Sequence, residues 1–393
     1  MPDLRCAAGH IGIKRDGVTD AALFALSAPT VCAGVFTTNQ FRSACVESAS
    51  ERVRQGRNIR AVLITSGNAN AGTGAAGRTD TELLCREVGA RLGCSPHEVI
   101  ALQTGVIGVP LRAGRLLPQV GALTAALSPS SQALEAAARA MMTTDTFPKG
   151  AVREVTVGGA RGMVAGVAKG AGMIHPRLAT MLSVVFTDFG LSQGQLQFAL
   201  NEAVRSSFNA ISVDGDTSPN DTVLLLATGT AGPLPDTDGG AAFTAFQEAL
   251  TAVCEDLARQ IVHDGEGATK FIELRVAGAA SAEDADRAAS VVATSPLVKT
   301  AFFGEDFNPG RIISALGRSG AALDLARLTL AIGGVQVFAE GAFLPVDAER
   351  AAAVMKEREI IVETDLGAGD AACRFFTCDL TYDYVRINGE YTT

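Results

Sequence analysis

The chain has 393 residues, 47% of them apolar and 19% charged, which supplies ample core material and excludes wholesale disorder. Forty-two acidic residues against 33 basic ones leave a formal charge of −9 with no basic run, which argues against a nucleic-acid or anionic-membrane partner. No apolar run approaches the roughly 18–20 residues that span a bilayer, and Met1 to His10 holds no apolar signal-peptide core.

A cytoplasmic chain is therefore expected. The eight cysteines (Cys6, Cys32, Cys45, Cys85, Cys94, Cys254, Cys373 and Cys378) form no C-x-x-C pair and read as reduced, without a zinc cluster. Short runs rich in Val, Ile and Leu alternate with helical periodicity. In chain order they predict a strand at 60–65, helices at 79–92 and 131–142, and strands at 154–157 and 181–186. A helix at 195–208, a strand at 222–226, a helix at 241–261, a strand at 271–276, a helix at 282–293 and a strand at 328–332 follow. Ser281, with Asp284 three residues on, caps the helix at 282–293. Such interspersed elements indicate an α/β or α+β fold. The Gly-, Pro- and Asp-rich segment 229–240 is the best linker candidate.

Six stretches could carry chemistry. In 166–188, GVAKGAGMIHPRLATMLSVVFTD, one lysine (Lys169) stands in a Gly-rich segment, and Ala179–Thr180 precedes a strand-like run. A small residue before a hydroxyl at such a junction is what intramolecular cleavage needs. The hydroxyl attacks the preceding carbonyl, the acyl group shifts from N to O, and hydrolysis frees a threonine with its own α-amine as base. The plain alternative is a threonine that starts a strand and a surface lysine. In 207–229, seven Asn, Asp, Ser or Thr residues crowd between Asp214 and Thr222, as the polar wall of a site or as an Asx-capped turn. Leu102–Val109 (LQTGVIGV) could supply oxyanion-hole N–H groups at Thr104 and Gly105, or be a simple glycine turn. The Gly- and Asn-rich 66–74 (SGNANAGTG) is no phosphate loop and reads as a surface loop. Glu266, between two glycines in HDGEGATK, could meet a substrate ammonium or be solvated. The tail, YVRINGEYTT, begins with a strand-like alternation and is expected to be ordered.

Taken together, SGNANAGTG, QTGVIG, MTTDTFPK, AKGAGMIHPRLATML, SFNAISVDGDTSPNDTVLLLATG, HDGEGATKFIE, SPLVKTA and YVRINGEYTT resemble the ornithine acetyltransferase family, the bifunctional glutamate N-acetyltransferases. The resemblance covers essentially the whole chain. It implies a layered αββα fold, like that of self-cleaving aminopeptidases, with a smaller second domain. It also implies cleavage between Ala179 and Thr180, giving an α chain (1–179) and an interleaved β chain (180–393) of 393 − 179 = 214 residues. Thr180 would be the nucleophile that carries acetyl from N2-acetylornithine to glutamate in arginine biosynthesis. Thr104 and Gly105 match the oxyanion-hole pair. Lys169, Glu266, Asn388, Thr393 and a threonine of TTDT, placed at Thr143 with Thr144 as rival, match substrate-binding positions. No metal or resident cofactor is implied. Acetyl-CoA as a co-substrate, and an assembly of two α and two β chains, belong to the same expectation.

The sequence departs from the family's D-P-N-W-G-R stretch, reading Asp306, Phe307, Asn308, Pro309, Gly310, Arg311. That departure leaves room for a paralogue of a natural-product pathway. A hydrolase acting through the same N-terminal nucleophile is the alternative of another class.

Overall fold

The central strands are apolar on both faces, and this double burial stacks the first part of the chain into four layers. The computed structural model describes residues 1, 3–157, 159–175, 181–234 and 240–390. Its first sheet contains β1 (Leu4–Gly9), β2 (Ala21–Phe36), β3 (Ile59–Asn68), β4 (Val99–Val106), β5 (Lys149–Val157), β6 (Ala160–Lys169) and β7 (Leu182–Thr187). After β8 (Ile211–Ser212), which joins another sheet, β9 (Thr222–Ala227) completes it. The order is β4-β3-β2-β9-β7-β6-β5, with β1 also on β2. The 16-residue β2 serves two half-sheets: its first part pairs with β1 and β3, while Val31 to Phe36 pair with β9.

The half-sheets face each other. Phe24, Val62, Ile64 and Leu102 from one share a core with Leu182, Val184, Phe186 and Leu224 from the other. The Phe24 and Phe186 ring centroids lie 5.8 Å apart. Strand side chains alternate, so the intervening residues point to helices. Ala61, Leu63 and Ala101 pack with Leu84, Cys85 and Val88 of helix Gly74–Leu92. Val185, Val223 and Leu225 pack with Leu196 and Leu200 of helix Gln193–Arg205 and with Leu257 of helix Ala241–His263. This is the expected αββα layering.

The second sheet is built from β10 (Phe271–Ala279), β11 (Thr329–Ile332), β12 (Val335–Ala339), β13 (Ala342–Phe343), β14 (Glu359–Asp365) and β15 (Ala371–Cys378), with β8 at one edge. Helices Ala282–Ala293, Pro296–Phe303 and Pro309–Gly317 cover it through Val292, Phe302 and Ile312. The Ser281 hydroxyl accepts from Asp284 N (3.1 Å), the cap the sequence indicates. This is the smaller second unit.

Three local expectations are corrected. Segment 229–240 does not separate the units, because helix Ala241–His263 returns Phe246, Leu250, Val253 and Leu257 to the first core; the second sheet begins only at β10. The stretch 66–74 is not a surface loop: Asn68, Asn70 and Ala71 are buried, and Asn70 Nδ2 donates to Gly77 O (2.9 Å). The tail forms helix Tyr382–Glu390 rather than a strand. Helical spacing sets Tyr384 and Asn388 on one face, where both find partners.

Phe186→Ala should remove one side of the inter-sheet core and destabilise the fold by about 3–5 kcal/mol, measured as a lower urea midpoint.

Candidate active site

The parallel pair β3–β4 loses its regular register at Gly67 and Asn68, opposite Thr104 and Gly105. Gly105 has φ +133°, and a Cβ there would overlap the Gly67 backbone, so no other residue fits this close approach. Across the sandwich, the register aligns Lys169 of β6 with Leu182 of β7, and Leu182 with Thr222 of β9. Three strand ends therefore meet at one level. There Met181 N donates to Asp221 Oδ1 (3.0 Å), and Thr222 N donates to Met181 O (3.1 Å). Asp221 is fully buried and its Oδ2 has no hydrogen-bond partner among the described residues; burial pushes this carboxyl well above the usual range.

Lys169, 2% exposed, donates through Nζ to Thr143 Oγ1 (2.9 Å) and to Thr104 Oγ1 (3.4 Å). Burial lowers its ammonium pKa, against the pull of Asp145. Asp145 organises this corner. Its Oδ1 accepts from Gly170 N (2.6 Å) and Lys149 Nζ (2.7 Å), and its Oδ2 accepts from Thr143 N (3.0 Å). Lys149 Nζ also donates to Asp264 Oδ2 (2.5 Å), which in turn accepts from Thr146 N (3.0 Å).

On another wall, Glu266 N donates to Ala171 O (2.9 Å), and Asn388 Nδ2 donates to Glu266 Oε2 (2.7 Å). A Cβ at Gly172 would overlap the Glu266 carboxylate, so that glycine makes room for it.

Thr104, Gly105, Thr143, Thr144, Lys169, Glu266 and Asn388 all line a single cavity. Thr143 is the threonine tied to Lys169; Thr144 lines the same cavity. Ala179, Thr180 and Thr393 lie outside the described residues. Ser218 and Asn220 also line it, so the polar stretch between Asp214 and Thr222 does supply a wall of the site; Ala69, Ile107, Gly172 and Met173 line it too and were not singled out from the sequence. Asp145, Lys149 and Asp264 were missed as well, although the i, i+4 Asp–Lys pair inside TTDTFPK was a visible signal. The departing stretch, Asp306 to Arg311, does not line the cavity. Asn308 caps helix Pro309–Gly317, its Oδ1 accepting from Arg311 N (3.3 Å), and Pro309 takes the first helical position, where a missing N–H costs nothing.

The chain matches the ArgJ family over residues 5–393. It belongs to the ArgJ family. The arginine biosynthesis bifunctional protein ArgJ of Symbiobacterium thermophilum is 48% identical over 96% of this chain and 93% of that protein. That of Geobacter sulfurreducens is 46% identical over 99% and 98%. The crystal structure of arginine biosynthesis bifunctional protein argJ from Bacillus halodurans aligns with a TM-score of 0.51 and 42% identity, covering 54% of this chain and all of that one. As an ArgJ-family member this chain is an acyltransferase of arginine biosynthesis. Among its described residues no helix is long and apolar enough to cross a membrane.

Burial would raise the Asp145 carboxyl, but Lys169, Lys149 and the Gly170 N–H hold it down at about 2 against an ordinary 3.8. A depressed carboxyl stabilises the fold above its unfolded pKa, and that contribution is lost as pH falls through the folded value. Asp145 should therefore stabilise fully above about pH 4 and lose this contribution between about 4 and about 2. Asp145→Asn should flatten that limb when urea midpoints are followed against pH. Asp221 acts in the opposite sense, since acidification relieves its burial cost.

Proposed function

We propose that ArgJ-type acetyl transfer in this chain runs through Thr180, freed by cleavage after Ala179. The observation that carries the reading is the single cavity joining a buried cation, Lys169, the Thr104–Gly105 backbone and a carboxylate, Glu266. This set complements an acylated amino acid. Lys169 meets the carboxylate, Glu266 meets the ammonium, and Thr104 with Gly105 supplies donors for the oxyanion. Thr143, Thr144, Asn388 and Thr393 complete the binding site.

In the first half-reaction the Thr180 hydroxyl attacks the acetyl carbonyl of N2-acetylornithine. Its proton passes through the α-amine, whose ordinary pKa of about 7.7–8 suits a base near neutrality. The tetrahedral intermediate collapses, the C–N bond breaks, and ornithine leaves with that proton. In the second half the glutamate amine attacks acetyl-Thr180, N-acetylglutamate departs, and the threonine hydroxyl is restored. No metal or resident cofactor enters these steps. Acetyl-CoA is proposed as a second acetyl donor, a role in keeping with the word bifunctional in the relatives' names. A cytoplasmic assembly of two α and two β chains is part of the same proposal. Cleavage after 179 leaves 214 of 393 residues in the β chain.

The denatured intact mass should show two chains, the second starting at Thr180. Thr180→Ala should abolish both cleavage and transfer; a cut, active variant would remove Thr180 as nucleophile. Acetylornithine consumption should require glutamate or another acceptor, and steady loss without one would make the protein a hydrolase. Glu266→Gln should leave cleavage intact and raise KM for acetylornithine by about tenfold or more, the scale of a lost charge-assisted hydrogen bond.

A further inference from the structure

Cutting after residue 179 would leave the α chain ending just beyond a wall of the cavity, Gly172 and Met173. That wall must stay in place without its covalent link to β7. The hydrogen bonds described for 171–174 run to residues beyond the cut. Glu266 N donates to Ala171 O (2.9 Å), and Val213 N and Ser212 Oγ donate to Ile174 O (2.8 and 3.0 Å). Met173 N and Ile174 N donate to Asp214 Oδ2 and Oδ1 (2.6 and 2.9 Å). Met173 holds φ +57°, a left-handed conformation that a non-glycine residue keeps only when its surroundings impose it.

Asp214 is the centre of this anchor. It also accepts from Asp216 N (3.2 Å) and from Tyr384 Oη (3.3 Å) on the C-terminal helix. Four donors meet an acceptor-only group. The same helix holds Glu266 through Asn388. The absence of a side chain at Gly172 leaves room for the Glu266 carboxylate, so this wall and that carboxylate lie side by side.

We propose that Asp214 is a positioning residue that fastens the α-chain end to the β chain, so that the Gly172–Met173 wall and the Glu266 carboxylate keep their places after cleavage. Tyr384 acts as its brace from the C-terminal helix. This inference rests on the cleavage reading above.

The test uses the full-length protein. Asp214→Asn keeps the shape but replaces one acceptor oxygen by a donor. With the chain cut, as intact mass reports, KM for acetylornithine and glutamate should rise about tenfold while kcat falls no more than about twofold. Hydrogen exchange at 171–174 should accelerate, with the sandwich strands unchanged. In the uncut Thr180→Ala background the acceleration should be smaller, because the covalent link still restrains the segment. Tyr384→Phe removes one of four donors without adding a clash, and should raise KM about threefold in the same direction; it decides the matter if Asp214→Asn does not fold. A cut chain with unchanged KM in the folded variants, or equal acceleration in both backgrounds, would overturn the anchor alone. An uncut wild-type chain would overturn the cleavage reading and the anchor with it.

Discussion

The site depends on one buried lysine, Lys149, held between Asp145 and Asp264. Buried ion pairs are weak sources of stability, because desolvating both partners consumes most of the Coulombic gain. Their structural consequence here is directional. Asp145, fixed by Lys149, receives Thr143 N and Gly170 N, and so sets the two chain segments that meet at the Lys169 ammonium. Without that frame Lys169 would lose the fixed Thr143 hydroxyl, while Thr104 is held separately on β4. Burial and the nearby Lys149 charge lower the Lys169 pKa, while Asp145 first, then Asp221 and Glu266, pull it back up.

The four-layer sandwich does the rest of the positioning. Both faces of β3, β7 and β9 are buried, so polar groups on those strands can collect only at their ends. The ends of β3 and β4 present Thr104 and Gly105. The ends of β6, β7 and β9 present Lys169, Met181 and Asp221. Because β2 runs through both half-sheets, the two groups of strand ends belong to one rigid frame, and the donors of one layer are held against the lysine of the other. The second unit contributes through the chain beyond β15, whose helix Tyr382–Glu390 brings Asn388 to Glu266.

Element types were largely readable from periodicity, since apolar runs in β7 and β9 and the 3.6-residue pattern of helix Gln193–Arg205 are properties of the local chain. The tail misled for a physical reason: its short alternation fits a strand, but its partners, Asp214 and Glu266, are reached from one face of a helix. The segment 66–74 misled because its asparagines look solvated, whereas Asn70 is buried among Gly77, Thr81 and Gln103. Helix Ala241–His263 belongs to the first core although a Gly-Pro-rich segment precedes it, since an apolar stripe goes where a matching surface exists.

The sequence by itself determined the mixed α/β class, the family whose resemblance implied the αββα layering, and the residue types that could bind an amino acid: a lysine in a glycine-rich segment, a carboxylate between glycines, a Thr-Gly pair after a strand. Those are local patterns, and their order along the chain is specific. Only the tertiary structure decided that residues more than 280 positions apart, from Thr104 to Asn388, line one cavity. It also decided that Thr143 is the threonine at Lys169 and that the unusual Asp306 to Arg311 stretch stays outside the site. Burial, register and the direction in which a side chain leaves its strand are set by packing partners distant in sequence, and one-dimensional spacing does not encode them.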